Sequence, residues 1–190
     1  MMNTIKSILA AVIILASVGV MAQKVEIDTD KSSLEWLGKK VTGEHNGSIS
    51  LQEGYVVMEG KALKGGEFVI DMSSIVNADI EDAEYKAKLE GHLKSEDFFG
   101  VEKFPTAKLV ISKSSKFKKD KASVMGELTI KDITLPIEFE VKKDDGKMMA
   151  TVVVDRSKYD VRYGSGSFFE GLGDKMIYDD FTLTVTLVTK

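Results

Sequence analysis

The chain has 190 residues, 43% hydrophobic and 29% charged, a composition typical of one globular domain. Its formal net charge of −4 disfavours a general nucleic-acid-binding role. Cysteine is absent, which excludes both a disulfide framework and a cysteine nucleophile.

The first segment, residues 1–22, has the features of a cleaved signal peptide. Lys6 precedes an apolar run that extends to Val20, and Ala22 is a small residue of the kind found at cleavage sites. A retained membrane anchor is the alternative, but the run is short for crossing a bilayer. We therefore expect cleavage after Ala22, a periplasmic or secreted protein, and a single domain over residues 23–190.

Most of the remaining chain alternates apolar and polar residues with the two-residue period of β-strands. In the last strand Phe181, Leu183, Val185 and Leu187 are predicted to face the interior, with threonines between them facing out. Asn46–Gly47 predicts a hairpin turn. About eight or nine short strands separated by polar turns predict one antiparallel sandwich or closed barrel. Such a barrel is either filled by side chains or holds one slender ligand.

One stretch has the periodicity of a helix instead. Tyr85, Leu89 and Leu93 recur every fourth residue, which places them on one helix face. Ser95 is predicted to cap a second short helix, and Pro105 ends helical structure. We expect this insert, which carries three phenylalanines, to cap or plug the barrel.

Motifs for catalysis are few. The sequence contains no nucleophile elbow, phosphate-binding loop or zinc-protease motif, and His45 and His92 lack metal-ligand spacing. We therefore expect no enzyme activity, no metal and no cofactor. A lysine-rich run indicates either a solvated hairpin or a weak, transient contact with anionic lipid heads. Its members are Lys116, Lys118, Lys119 and Lys121.

Several motifs resemble one known family. Gly91–Phe99 followed by Val101–Ala107 resembles the signature of the YceI-like family of exported polyisoprenoid-binding proteins. Gly126–Ile137 is similar to the family's G-x-L-T-I-K-G-x-T-x-P hairpin, although Asp132 stands where the family usually has glycine. Asp155–Tyr159 resembles its D-R-[ST]-x-[FY] segment. The likeness covers essentially the whole chain after residue 22.

The resemblance implies a mainly β, lipocalin-like antiparallel barrel around a long apolar tunnel. It also implies a polyisoprenoid or fatty-acyl ligand, held for transport or storage, and often a homodimer. The family has no catalytic motif and no motif that fixes the tunnel lining, so our candidates come from strand faces and aromatic residues. Ordinary core packing is the alternative for each. The tunnel or lid candidates are Trp36, Phe68, Ile70, Phe98, Phe99, Phe104, Phe139, Phe168 and Phe169.

For the polar end of a ligand, three residues are candidates. Arg156, Arg162 and Tyr163 flank a Gly/Ser-rich loop, and an arginine fork suits phosphate or carboxylate. Of these, Arg162 and Tyr163 are our candidates. The alternative is that Arg162 pairs with Asp160 or Asp174 and only fixes the loop. His45 is the third candidate. Two other functions remain open, namely a filled structural barrel and an enzyme that uses His45 or a buried carboxylate as general base. A His45 that faces a cavity beside an acid would favour the enzyme.

Overall fold

The computed structural model describes residues 21–190. One α-helix, α1 (Ala83–Lys94), lies between the fourth and fifth strands, and short 3-10 helices cover Arg156–Tyr159 and Gly173–Lys175. The strands are β1 (Ala22–Glu26), β2 (Ser33–Lys40), β3 (Gly43–Glu59), β4 (Ala62–Asn77), β5 (Thr106–Ser114), β6 (Lys121–Ile130), β7 (Ile133–Asp144), β8 (Lys147–Asp155) and β9 (Ile177–Val188).

These strands close into an antiparallel barrel of eight positions. Each strand from β2 to β9 pairs with the next, and β9 pairs with β2, which closes the ring. The β7–β8 ladder is short, because it joins only Val141–Asp144 to Lys147–Ala150. β1 and β2 lie end to end on β3, because β1 pairs with residues 55–59 and β2 with residues 43–49. β1 and β2 therefore occupy the same one of the eight strand positions of the barrel. The predicted lipocalin-like barrel with a short helical insert is confirmed.

Inward side chains of successive strands form two hydrophobic clusters. One cluster, which includes Ile75, lies beneath α1, and the other lies toward the β3–β4 turn. Phe181 and Leu183 of β9 pack on the first cluster, whereas Val185 and Leu187 pack on the second. The predicted inward face of β9 is confirmed, and its alternation fixes the register of the strand.

The first hairpin turn lies at Val41–Thr42, so its prediction at Asn46–Gly47 was wrong. Asn46 and Gly47 lie within β3, where Gly47 is opposite Trp36. A Cβ at Gly47 would lie 1.9 Å from the carbonyl oxygen of Val76 and 2.7 Å from the Trp36 ring. The indole Nε1 of Trp36 donates to the carbonyls of Ser48 and Val76, at 3.2 Å each. The glycine thus serves close packing within a strand rather than a turn.

The helical insert covers one end of the barrel. Asp82 caps α1 by accepting hydrogen bonds from two backbone amides of the first turn. Ser95 ends this helix, so the prediction that it begins a second helix was wrong, and turns follow it. Its hydroxyl donates to the carbonyl of His92 at 2.8 Å, which satisfies an acceptor at the end of α1. Phe98, in the following turns, is buried.

The β6–β7 turn anchors this insert. Lys131 and Asp132 have φ angles of 49° and 59°, as a type I′ turn requires, although Asp132 replaces the usual glycine. The Nζ atom of Lys131 donates to the carbonyl of Phe98 at 3.2 Å and to that of Asp160 at 2.8 Å. Lys131 therefore ties both the insert and the loop after β8 to the barrel.

The expected signal peptide falls almost entirely outside the described residues. Of residues 1–22, only Met21, which is exposed, and Ala22, which begins β1 opposite Glu59, are described. Between residues 21 and 190, no helix has the length and apolar character needed to cross a membrane. Cleavage after Ala22 stays a prediction.

Candidate functional site

An apolar cavity of about 180 Å³ lies beneath the helical insert. Its walls are the inner faces of β2, β4, β6 and β9, and Leu89, Leu93, Phe98 and Phe99 of the insert form its roof. Aliphatic and aromatic side chains make up most of its lining. The polar residues that reach it are Lys39, Lys40, Glu44, His45, His92, Arg156, Tyr178 and Asp180.

A second cavity, of about 100 Å³, continues toward the other end of the barrel. Every residue that lines it is apolar. Leu34, Ile70, Leu128 and Leu183 line both cavities, so the two adjoin, and we refer to the pair as the tunnel. An apolar cavity of this size stays free of water and can bind an apolar group.

Six of the nine predicted tunnel or lid residues line this tunnel. Trp36, Phe98 and Phe99 line the cavity beneath the insert, Phe68 and Phe139 line the second cavity, and Ile70 lines both. The Phe98 and Phe99 rings pack edge to face with centroids 5.2 Å apart. The structure thus brings together aromatics that are far apart in sequence.

The other three aromatic candidates lie outside both cavities. Phe104 is half-buried, whereas Phe168 and Phe169 are 41% and 49% exposed. The segment that carries Phe168 and Phe169 lies between the two short 3-10 helices and has no regular secondary structure. Sequence periodicity gives no signal for such irregular loops, because only regular elements alternate faces.

Arg162 and Tyr163 also lie outside the tunnel lining. Arg162 is exposed, its Nε donates to a carboxylate oxygen of Asp160, and its guanidinium lies 5.0 Å from the Phe168 ring centroid. This is the pairing given above as the alternative to a head-group contact. Tyr163 packs edge to face on His92, with ring centroids 4.3 Å apart. His92 lines the cavity, whereas Tyr163 does not.

His45 lines the cavity and has an acidic partner. Its Nδ1 lies 2.8 Å from Oδ2 of Asp79, and the side chain is 36% exposed. Partial burial pushes the pKa of Asp79 up, but hydrogen bonds from Asn46, His45 and Asn77 outweigh it and hold that pKa below its usual range. Asp79 therefore stays ionised and fixes the His45 ring at the cavity rim.

Sequence reasoning placed Arg156 beside the Gly/Ser-rich loop but did not choose it as a candidate site residue. Arg156 is only 2% exposed and lines the cavity. Its guanidinium donates to the carbonyls of Val161, Ile177 and Tyr178 at 2.8, 3.1 and 3.2 Å, and it lies 3.5 Å from a carboxylate oxygen of Asp179. Burial lowers its pKa, whereas Asp179 and Asp155 oppose that shift. The D-R-[ST]-x-[FY] segment was the signal that could have identified it.

The residues described here contain no group of three or more His, Cys, Asp or Glu side chains that could hold a metal ion. The tunnel instead offers an apolar interior with a few polar groups at one end. Sites of this shape suit a ligand with an apolar body and a polar end.

A closed antiparallel barrel around such an interior is a lipocalin-like binding barrel. The YceI-like domain matches residues 26–189, and the chain belongs to that family. Both the fold and the family resemblance drawn from the sequence are therefore confirmed. No curated protein matches the sequence.

Solved structures agree with this fold. BcnA of Burkholderia cenocepacia is similar, with a TM-score of 0.65 and 20% identity over 85% of this chain and 98% of that chain. A polyisoprenoid binding domain from Saccharophagus degradans, implicated in plant cell wall breakdown, has a TM-score of 0.56 and 12% identity over 88% and 97% of the two chains. The YceI protein of Campylobacter jejuni has a TM-score of 0.54 and 17% identity over 75% and 84%.

Proposed function

We propose that this protein is an exported lipid-binding protein that holds a polyisoprenoid or fatty-acyl chain in its tunnel, as a carrier or a store. The observation that carries the proposal is the pair of adjoining apolar cavities joined at Leu34, Ile70, Leu128 and Leu183. Each buried methylene of a bound chain is stabilised by about 0.8 kcal/mol, so an apolar tunnel provides affinity without a catalytic group. The polyisoprenoid-binding neighbour from Saccharophagus degradans supports the same ligand class.

Mass spectrometry of organic extracts from the purified protein tests this proposal directly. Saturable binding of cis-parinaric acid, a fluorescent fatty acid, provides a second measure. Native extracts without an apolar chain, together with no saturable probe binding, would overturn the carrier function.

A pair of substitutions on one strand makes the binding test specific to the tunnel. Ala150 lines the second cavity and packs on both hydrophobic clusters, whereas Thr151, the next residue of the same strand, is exposed and lines neither cavity. We expect Ala150→Phe to fill the tunnel and reduce probe binding at least about tenfold. Thr151→Phe should bind the probe as the wild type does, because its side chain points away from the tunnel. Equal binding by both variants would place the ligand elsewhere.

His45 supports a second candidate function, an enzyme acting on an isoprenoid or acyl substrate. Its ring lines the cavity and is held by Asp79, an arrangement suited to general base catalysis. The masses of bound ligands before and after incubation separate the two functions. Unchanged masses support the carrier, while a mass change that His45→Gln abolishes supports the enzyme. A filled structural barrel fits the two cavities less well than either.

Export and partners are part of the same proposal. Secretion and an N-terminus at Gln23 in the mature protein would support the predicted signal peptide. The lysine-rich run lies on the β5–β6 hairpin, at the end opposite the helical insert, and within that run Lys121 pairs with Glu140 at 2.6 Å. Sedimentation with anionic vesicles tests the transient membrane contact. Light scattering of the purified protein tests the homodimer.

A further inference from the structure

We propose that the tunnel opens sideways, through the seam between β2 and β9 at Gly38, and that the ligand enters and leaves by this portal. The proposal rests on the proposed function, because it assigns a route to the ligand of the tunnel. It also places the polar end of that ligand at the seam. Four features of the described residues carry it, and they concern the hydrogen-bonded ladder, Gly38, the outer surface and the two barrel ends.

The first feature is a break in the β2–β9 ladder. Gly38 is opposite Phe181, but Lys40 is opposite Ile177, so three residues of β9 face one residue of β2. Those three residues, Tyr178–Asp180, form a bulge. A bulge removes regular hydrogen bonds between two strands and bends the bulged strand. The barrel wall is therefore held together less tightly here than along the continuous β6–β7 ladder.

Next to this break, Gly38 leaves an open space on the inner side of the wall, which we call the gap. It occupies an inward position of β2, lines the cavity, and a Cβ built there would meet no atom within 4 Å. Its backbone does not adopt the left-handed conformation that favours glycine. Neither a turn nor close packing therefore requires glycine at this position. Its neighbours across the two seams are His45 on β3 and Phe181 on β9, so the gap lies between a polar ring and an apolar ring.

Outside the same seam lies a groove that shares three lining residues with the cavity. Lys39, Tyr178 and Asp180 line both the outer groove and the inner cavity. On the outer face, Leu37 of β2 and Val153 of β8 flank Thr182 of β9, which gives one part of the groove an apolar floor. An apolar chain can pass over such a floor, while the polar end finds donors and acceptors at the portal.

The insert end of the barrel is closed by packed side chains. There, Phe99 packs edge to face on Phe181 with centroids 6.3 Å apart, and Lys131 hydrogen-bonds the insert. Opening this end would break both the aromatic packing and that hydrogen bond.

The opposite end is closed as well. Ile27 and Leu63 are 1% and 2% exposed, and Phe117 packs on the same cluster. Opening either end would separate packed side chains, whereas the seam at Gly38 already has a gap. Opening the seam at Gly38 therefore requires less rearrangement than opening either end of the barrel.

Stopped-flow binding of cis-parinaric acid to the full chain tests the portal. Gly38→Phe fills the gap, and Gly91→Phe is the matched control, because Gly91 also has no atom within 4 Å of a built Cβ but lies exposed on α1. We expect Gly38→Phe to slow both association and dissociation at least about tenfold, with a smaller change in affinity. The control should keep wild-type rates.

Contrary results are clear. Wild-type rates in a folded Gly38→Phe variant overturn the portal alone. Faster dissociation with unchanged association also overturns the portal, because Gly38 would then belong to the binding site of the ligand and not to its route. No saturable binding by the wild type overturns the proposed function itself.

A crosslink provides a second test that does not depend on Gly38→Phe folding. The chain has no cysteine, so a Lys40→Cys/Ile177→Cys pair introduces the only thiols, at positions directly opposite in the β2–β9 register. The oxidised protein should bind and release the probe more slowly than the same protein after reduction. Equal rates in the two redox states, with the disulfide confirmed by mass, would overturn the portal.

Discussion

The guanidinium carbon of Arg156 lies 5.3 Å from the centroid of the Phe98 ring, so a buried cation supports the aromatic roof of the tunnel. The same guanidinium holds three backbone carbonyls around the start of β9. One side chain therefore joins the helical insert, the loop after β8 and the bulged strand that borders the proposed portal. This role is structural, because hydrogen bonds to the protein engage most of its donors.

Arg156→Lys should destabilise the protein by about 2–4 kcal/mol, because an ammonium cannot donate to three carbonyls in fixed directions and the unpaired ones are buried. Urea unfolding measures this change. Arg162→Lys is the matched control and should change the free energy of unfolding by less than about 0.5 kcal/mol, since Arg162 is exposed. Similar losses in both variants would contradict the supporting role of Arg156.

Much of this structure could be predicted from the sequence, and the failures have physical causes. Alternation along β9 identified its inward face because one side of that strand is buried. The Asn46–Gly47 turn failed because a glycine required by the Trp36 ring looks the same in sequence as a turn glycine. Arg162 was chosen over the site residue Arg156 because only the folded loop shows that the charge of Arg156 is buried.

The register of β9 predicts opposite effects for two adjacent positions. Leu183 lines both cavities, whereas Thr184 is exposed. Leu183→Asp should prevent folding, because an unpaired buried charge costs more than the roughly 5–15 kcal/mol that stabilises a domain. Thr184→Asp should shift the unfolding midpoint little. Circular dichroism of the two purified variants measures whether each is folded. Two equally folded variants would mean that the inward face is assigned wrongly.

The β6–β7 turn predicts a stabilising substitution. Asp132 has a φ of 59°, a conformation that glycine adopts without strain. Asp132→Gly should therefore raise the free energy of unfolding by roughly 0.5–1 kcal/mol. Asp132→Ala should be less stable than the glycine variant by roughly 1–2 kcal/mol, because a Cβ is strained in this region. An alanine variant as stable as the glycine variant would show that backbone strain does not limit this turn.

Asp79 predicts a specific dependence of stability on pH. Because its pKa in the folded protein is lowered from 3.8, its ionised form stabilises the fold above that pH. The contribution should disappear as the pH falls through the lower folded pKa. In Asp79→Asn the contribution is absent, so the stability difference from wild type should shrink below about pH 4. Asp97→Asn, at an exposed position, is the control, and urea unfolding across this range gives the measurement. A difference that stays constant down to about pH 2 would contradict the assignment.

The polar end of the ligand should contact His45 and not Arg162. His45 lines the cavity next to Gly38, whereas Arg162 lies outside it and is engaged by Asp160. His45→Ala should weaken binding of a long-chain alcohol by about 0.5–1.5 kcal/mol, the usual contribution of one hydrogen bond. Binding of a hydrocarbon of equal length should not change, because it has no polar end. Competition against cis-parinaric acid measures both affinities.

Arg162→Ala completes the comparison, with a fatty acid and its alcohol as paired ligands. We expect neither to bind more weakly, because the Asp160 carboxylate already occupies the guanidinium. A loss of about 1.5–3 kcal/mol confined to the fatty acid would instead place the charged end at Arg162, as the arginine fork first suggested. Equal losses for His45→Ala with the alcohol and with the hydrocarbon would show that His45 only shapes the cavity. Those outcomes separate a polar contact at the seam from one at the outer loop.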